Sequence, residues 1–160
     1  FAVQIARAAG ATVLATAGPA NQETLKDLGV HVPIDYRSQD PFAIALAETG
    51  GRGVDAVFDT VGGELIARSL SVTRPFGRLA CILNPRGDLS PIYPRNLTLY
   101  GVILTHERAR LDEMRRLIER GLMKPLVDEV LPLEDVHQAH ERLETGHGRG
   151  KIVLRVAEEP

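Results

Sequence analysis

The chain has 160 residues, 44% of them hydrophobic and 25% charged, which suits one folded domain, or a domain and a half, around an apolar core. A formal net charge of -2 and the lack of any long run of like charge leave no electrostatic footprint for nucleic acid or an anionic membrane. The single cysteine, Cys81, sits in an apolar run, so neither a disulfide framework nor a Cys-rich metal site is available, and a reducing cytoplasm is the expected setting.

In chain order, helix and strand patterns alternate. Phe1 to Ala9 reads as a helix, with Val3, Ile5, Ala6 and Ala9 on one side and Gly10 as its stop. No Ser, Thr, Asp or Asn precedes it as a cap, so the chain is expected to be a piece cut just after a turn. Thr12 to Ala17 follows as a strand, Gly18-Pro19 as a turn, and Asn21 to Leu28 as a helix ended by Gly29. Val32 to Tyr36 is a brief strand and Pro41 to Thr49 a helix. Val54 to Asp59 is an apolar strand that stops at an acid and runs into the Gly62-Gly63 turn.

Glu64 to Val72 reads as a helix, and Pro75-Phe76-Gly77 turns the chain into the strand Arg78 to Leu83. A proline-rich loop over 84–97 leads to the strand Leu99 to Leu104. Strands alternating with short helices argue for a doubly wound parallel sheet, whose ligands bind beyond the carboxyl ends of the strands. Beyond Thr105 the texture changes. Glu107 to Arg120 is a charged helix with Leu111, Met114, Leu117 and Ile118 as an expected buried stripe. Val127 to Leu131 reads as a strand, Leu133 to Thr145 as an amphipathic helix, and Lys151 to Val156 as a closing strand.

Several candidates for other chemistry have plainer readings. His137 and His140 are three apart on a helix, but His140 shares a stripe with Val136, Ala139 and Leu143 and is expected to be a packed core histidine; no metal site is expected. Ser69, Ser71 and Ser90 lack the context of a hydrolase nucleophile. Asp55 and Asp59 could suggest paired carboxylates, yet a strand start and a cap at the strand end explain them more simply.

Four motifs then occur in order: Ala17-Gly18; Ile34-Asp35-Tyr36-Arg37; Gly53-Val54-Asp55 with Asp59-Thr60-Val61-Gly62-Gly63; and Gly146-His147-Gly148-Arg149-Gly150-Lys151-Ile152-Val153-Leu154. Together they resemble the medium-chain dehydrogenase/reductase superfamily, most closely its zinc-free quinone oxidoreductase branch. The resemblance covers nearly the whole chain. It implies a Rossmann-type sheet that lacks its first strand and Gly-rich turn, the absent strand lying between Thr12 to Ala17 and Val54 to Asp59. Residues 1–121 would form the dinucleotide-binding domain, and residues 122–160 would return toward a catalytic domain.

In such a fold the pyrophosphate sits at the first helix, here Phe1 to Val3. An acid at the end of the second strand would select NAD; this chain has Ala17 and Gly18 there, which permits NADP, with NAD remaining possible. The resemblance makes Gly18, Asn21, Tyr36 and Arg37 candidates around the adenosine 2′-phosphate, with Asn21-Gln22 standing where relatives often carry a lysine. It places Thr60, Val61 and Gly62, and likewise Ile82, Leu83 and Asn84, over the cofactor, and Arg149 and Lys151 near the pyrophosphate. The alternatives are an exposed turn pair for Tyr36 and Arg37, a tight turn for residues 60–62, and a solvated basic turn for Arg149 and Lys151.

The implied function is part of an NAD(P)H-dependent oxidoreductase that transfers a hydride between nicotinamide and a quinone, carbonyl or activated alkene. The piece alone is expected to be inactive, and no catalytic residue is assigned. A non-catalytic nucleotide-binding module and, within the superfamily, a zinc-dependent alcohol dehydrogenase remain open, whereas a methyltransferase would need an acid where Ala17-Gly18 stands. Relatives are often dimers, so a homodimer through an edge strand such as Leu99 to Leu104 is an expectation by analogy.

Overall fold

The computed structural model describes residues 1–146 and 148–157, so His147 of the last motif lies outside the described residues. Helix α1 (Ala2–Ala8) leads through Gly10 to strand β1 (Leu14–Ala17). A single turn of tight helix over Pro19–Asn21 runs into α2 (Gln22–Asp27), followed by β2 (Val32–Asp35) and α3 (Pro41–Glu48). Asp40 caps α3 by accepting from the Phe42 and Ala43 amides, with Pro41 at the first helical position, where its missing N–H is not needed.

Next come β3 (Val54–Asp59), α4 (Leu65–Val72), β4 (Thr73–Cys81) and β5 (Thr98–Gly101). The chain ends with α5 (Arg108–Glu119), β6 (Val127–Pro132), α6 (Val136–Glu144) and β7 (Lys151–Arg155). Every strand pairing among the described residues is parallel; helices make the crossovers elsewhere, and the long loop over 84–97 makes the one from β4 to β5.

The strands fall into three sheets: β1 with β2, then β3-β4-β5, then β6 with β7. Thus β1 and β3 do not pair, and the break expected between Thr12 to Ala17 and Val54 to Asp59 is present. On the side away from β4, β3 has no strand neighbour among the described residues, and its Phe58 is half exposed.

The core lies where α4 packs on the β3-β4-β5 sheet. Ile66, Leu70, Leu79, Cys81 and Leu97 are buried together, with Val57, Leu89, Ile92 and Leu99 against them. Each fully buried aliphatic side chain contributes about 1.5–3 kcal/mol, so this cluster anchors the C-terminal ends of β3 and β4. Arg95, in the loop before β5, fastens the end of α4: its guanidinium donates to the carbonyls of Leu70 at 2.7 Å, Ser71 at 3.0 Å and Thr73 at 2.5 Å.

Several sequence expectations need correction. β4 begins at Thr73, before the Pro75-Phe76-Gly77 turn, and that turn is a bulge inside the strand. Thr73 pairs with Val54 and Arg78 with Ala56, so residues 74–77 stand opposite Asp55 alone. Proline cannot donate to a ladder, and Phe76 takes a left-handed φ of 61°, so the segment loops out. Gly53 is needed beside this bulge, because a Cβ there would lie 2.7 Å from the Val72 carbonyl at a φ of +89°.

β5 ends at Gly101; the Val102 amide still donates to Cys81 O at 2.8 Å, while Ile103 and Leu104 are exposed beyond it. The α5 stripe is not buried, since no residue of that helix is and Leu111 is 66% exposed. His140 is exposed, and Ala139 alone is buried in α6. In both helices the periodicity marks an apolar face, but burial reaches only Ala139 of the α6 face and no residue of the α5 face. No helix among the described residues is long and apolar enough to cross a membrane.

Candidate functional site

Two loop clusters at the carboxyl ends of the parallel strands hold ten of the candidate residues. The first joins the ends of β1 and β2. A Cβ built on Gly18 would lie 3.7 Å from both Arg37 Nε and Tyr36 Oη, so these three residues form one small cradle. Gly18 is extended, with φ -71° and ψ 168°, and its value here is its lack of bulk.

The Tyr36-Arg37 turn is shaped by Asp35, whose carboxylate accepts from the Arg37 amide and from the Ser38 hydroxyl, both at 3.0 Å. Asn21 adjoins the cradle at the start of α2, and its Oδ1 is buried without a hydrogen-bond partner, an acceptor that needs a donor. Gln22 carries no site signal in the sequence. Its side-chain amide donates to the carbonyls of Ala17 at 2.8 Å and Ile34 at 3.2 Å, tying the two strand ends together. An Asp-x-x-Ser turn signal was legible in the sequence, whereas the reach of Gln22 across two strands was not.

The second cluster joins the ends of β3 and β4. Thr60 and Val61 are exposed at the strand end, and Gly62 is buried with φ +75°. Ile82, Leu83 and Asn84 are exposed on the neighbouring loop. The loops are stitched together: the Ile82 amide donates to Asp59 O, the Gly63 amide to Asn84 O and the Arg86 amide to Gly63 O, at 3.2, 3.1 and 2.8 Å. A Cβ on Gly62 would lie 2.7 Å from Leu83 Cβ, so glycine is required for the loops to approach.

Asp55 and Asp59 are not a catalytic pair. Asp59 is buried and caps its own turn, while Asp55 is exposed at the opposite end of β3 in an ion pair with Arg74. The hydrogen bond from Arg74 holds the Asp55 carboxyl below its ordinary range.

Arg149 and Lys151 are not brought together with either cluster. Arg149 lines a groove of about 580 Å³ with Gln4, Arg7, Asp27, Lys124 and Asp128, between the first helices and the C-terminal segment. Lys151 Nζ lies 5.9 Å from the centroid of the Phe1 ring, at the start of α1. Gln4 holds this side of the molecule together, donating to the Lys124 carbonyl at 3.0 Å and accepting from its amide at 2.6 Å. Among the described residues no group of three His, Cys, Asp or Glu side chains is placed to hold a metal.

Parallel βαβ units with glycine turns and exposed apolar and cationic side chains at the strand ends define a Rossmann-like nucleotide-binding fold. The family model described as zinc-binding dehydrogenase matches residues 28–154, and the chain belongs to that family, in the medium-chain dehydrogenase/reductase superfamily. It is 31% identical to the 2-haloacrylate reductase of a Burkholderia species, over 93% of this chain and 49% of that protein. It is 29% identical to the trans-enoyl reductase poxH of Penicillium oxalicum, over 98% of this chain and 46% of that protein. The crystal structure of an NAD-dependent alcohol dehydrogenase superposes with a TM-score of 0.86 at 33% identity, over 98% of this chain and 47% of that one. The chain therefore spans about half the length of these relatives.

Proposed function

We propose that the protein carrying this chain is an NADPH-dependent oxidoreductase acting on an activated alkene, with carbonyls and quinones as further acceptors. The observation that carries the cofactor reading is the cradle of Gly18, Tyr36 and Arg37. It offers a guanidinium fork and a phenol hydroxyl, with no carboxylate among the atoms nearest to Gly18, a donor set suited to a 2′-phosphate. The alkene reading leans on the relatives' names, a haloacrylate reductase and a trans-enoyl reductase, whose substrates share a polarised double bond.

When bound, the reduced nicotinamide supplies the hydride. The chain's own residues bind and orient: Arg37 and Tyr36 hold the adenosine end, while Thr60, Val61, Ile82 and Leu83 present an exposed, largely apolar platform for the nicotinamide end. Such a platform fixes the ring's approach to the acceptor and displaces water from it. Lys151 near the start of α1 offers a cation for the pyrophosphate. A second reading, NAD, is favoured by Asn21, whose unpaired acceptor suits a ribose hydroxyl.

The rest of the arrangement follows the same reading. The open side of β3 takes a further strand that joins it to β1. Residues 122–160, whose Val127, Val130 and Val153 are exposed on a two-stranded sheet, pack against a catalytic domain. A reducing cytoplasm suits the single free thiol of Cys81.

β5 is the outer strand of its sheet, and the exposed Ile103 and Leu104 continue from it, so this edge pairs with a second copy about a two-fold axis. Light scattering should then give a dimer that Leu99→Pro, which removes a ladder donor, converts to monomer; a wild-type monomer would dismiss that contact.

The test of function mixes the full-length protein and NADPH with an enone, an aldehyde and a quinone, and follows the loss of reduced nicotinamide. Oxidation with the enone supports the reading. Tight nucleotide binding with no turnover on any of the three would instead make the protein a non-catalytic nucleotide-binding module.

A further inference from the structure

Asp59 is buried at the last position of β3, and its carboxylate is engaged by backbone amides. Oδ1 accepts from the Val61 amide at 2.8 Å and the Gly62 amide at 3.1 Å, and Oδ2 accepts from the Gly62 amide at 3.1 Å. These bonds bend the chain immediately after the strand and set the left-handed Gly62, whose missing Cβ admits Leu83. Beyond Gly62, the Gly63 amide donates to Asn84 O and the Arg86 amide to Gly63 O, while the Ile82 amide returns to Asp59 O. One carboxylate thus stands at the root of two loops that carry Thr60, Val61, Gly62, Ile82, Leu83 and Asn84.

We propose that Asp59 is a positioning residue: its buried carboxylate locks the β3 and β4 loops into a single rigid platform that fixes the nicotinamide end of the cofactor, without touching the cofactor itself. This role rests on the nucleotide reading above. It follows from rigidity: a surface loop without internal anchors must be ordered when its ligand arrives, whereas a loop already held by charge-assisted amide bonds meets the ligand without that cost. Because the platform faces one end of a dinucleotide, loosening it should affect that end and leave the adenosine cradle at β1 and β2 unchanged.

The test compares full-length wild type with Asp59→Ala and Asp59→Asn, the latter retaining one acceptor oxygen. Two measurements are made: amide hydrogen exchange without nucleotide, and titration with NADPH beside adenosine 2′,5′-bisphosphate, which lacks the nicotinamide end. Asp59→Ala is expected to speed exchange over both 60–63 and 82–86. It should weaken NADPH by roughly tenfold, the scale of one lost charge-assisted anchor, with the bisphosphate unchanged. Asp59→Asn should recover part of both effects.

A loss shared equally by NADPH and the bisphosphate, or faster exchange confined to Val61 and Gly62, would overturn the proposal, since a general loss of stability or a purely local cap would explain it. If Asp59→Ala does not fold, Gly62→Ala tests the same coupling where the β3 loop meets the β4 loop, by pressing on Leu83, and must show the same selective loss. Wild type that binds neither compound would refute the nucleotide reading itself. Wild type that binds both, with variants indistinguishable from it, would refute only the role of Asp59.

Discussion

Gly18→Asp places the proposed NADPH preference under direct test. The backbone at Gly18 has φ -71° and ψ 168°, which aspartate adopts without strain, and the nearest atoms to a new Cβ are at ordinary contact distance, 3.7 Å. The carboxyl carbon lies about 1.5 Å beyond Cβ, so its oxygens come within reach of Arg37 Nε and occupy the cradle. A 2′-phosphate would then meet a carboxylate at about 5 Å in a partly solvated setting. Two negative charges against one cost roughly 2–3 kcal/mol at an effective dielectric between about 40 and 80.

Arg37 is also drawn away from the phosphate, but Tyr36 is 54% exposed and solvent screens the whole cradle, so the net penalty is taken as about 2–3 kcal/mol, a roughly 30- to 150-fold loss of NADPH affinity. NADH, whose ribose hydroxyl can donate to the new carboxylate, should bind as before or better. Gly18→Asn adds nearly the same bulk without charge and should cost NADPH only a few-fold. The assay is a fluorescence titration of both nucleotides on the full-length protein at low and high salt, the penalty shrinking as salt rises. Equal losses of NADPH and NADH, or an unchanged NADPH affinity, would refute the placement of the 2′-phosphate at Gly18, Tyr36 and Arg37.

Two further outcomes concern the scaffold. Arg95→Met removes charged donors from the Leu70, Ser71 and Thr73 carbonyls, two of those bonds being part-buried, and should lower stability by about 2–4 kcal/mol in a denaturant titration. An unchanged midpoint would show that water replaces the guanidinium at no cost. The folded-state carboxyl of Asp55 is held below its ordinary 3.8 by Arg74, so its stabilising contribution is present above that value and is lost as pH falls through the folded one. Asp55→Asn should therefore flatten the acid side of the stability curve below about pH 4 and leave the wild-type-to-variant difference constant near neutrality; parallel curves throughout would remove the pair from the account.

The sequence by itself determined the elements, their order and the family, because glycine stops, β-branched runs and strand-end turns are local signals. It also placed the turn at Asp59 and the loop over 84–97, since an acid three residues before a diglycine and four prolines and glycines close together have few backbone solutions. Tertiary structure alone decided which faces are covered. The stripe of Leu111, Met114, Leu117 and Ile118 and the position of His140 have helical period, but period fixes only which side chains share a face, and burial needs a second surface to meet it. Tertiary structure likewise decided that Gln22 spans the ends of β1 and β2, that Arg95 closes α4, and that Arg149 lies in a groove away from both loop clusters. Each of those contacts joins residues that only the path of the folded chain brings near, and no local propensity records that path.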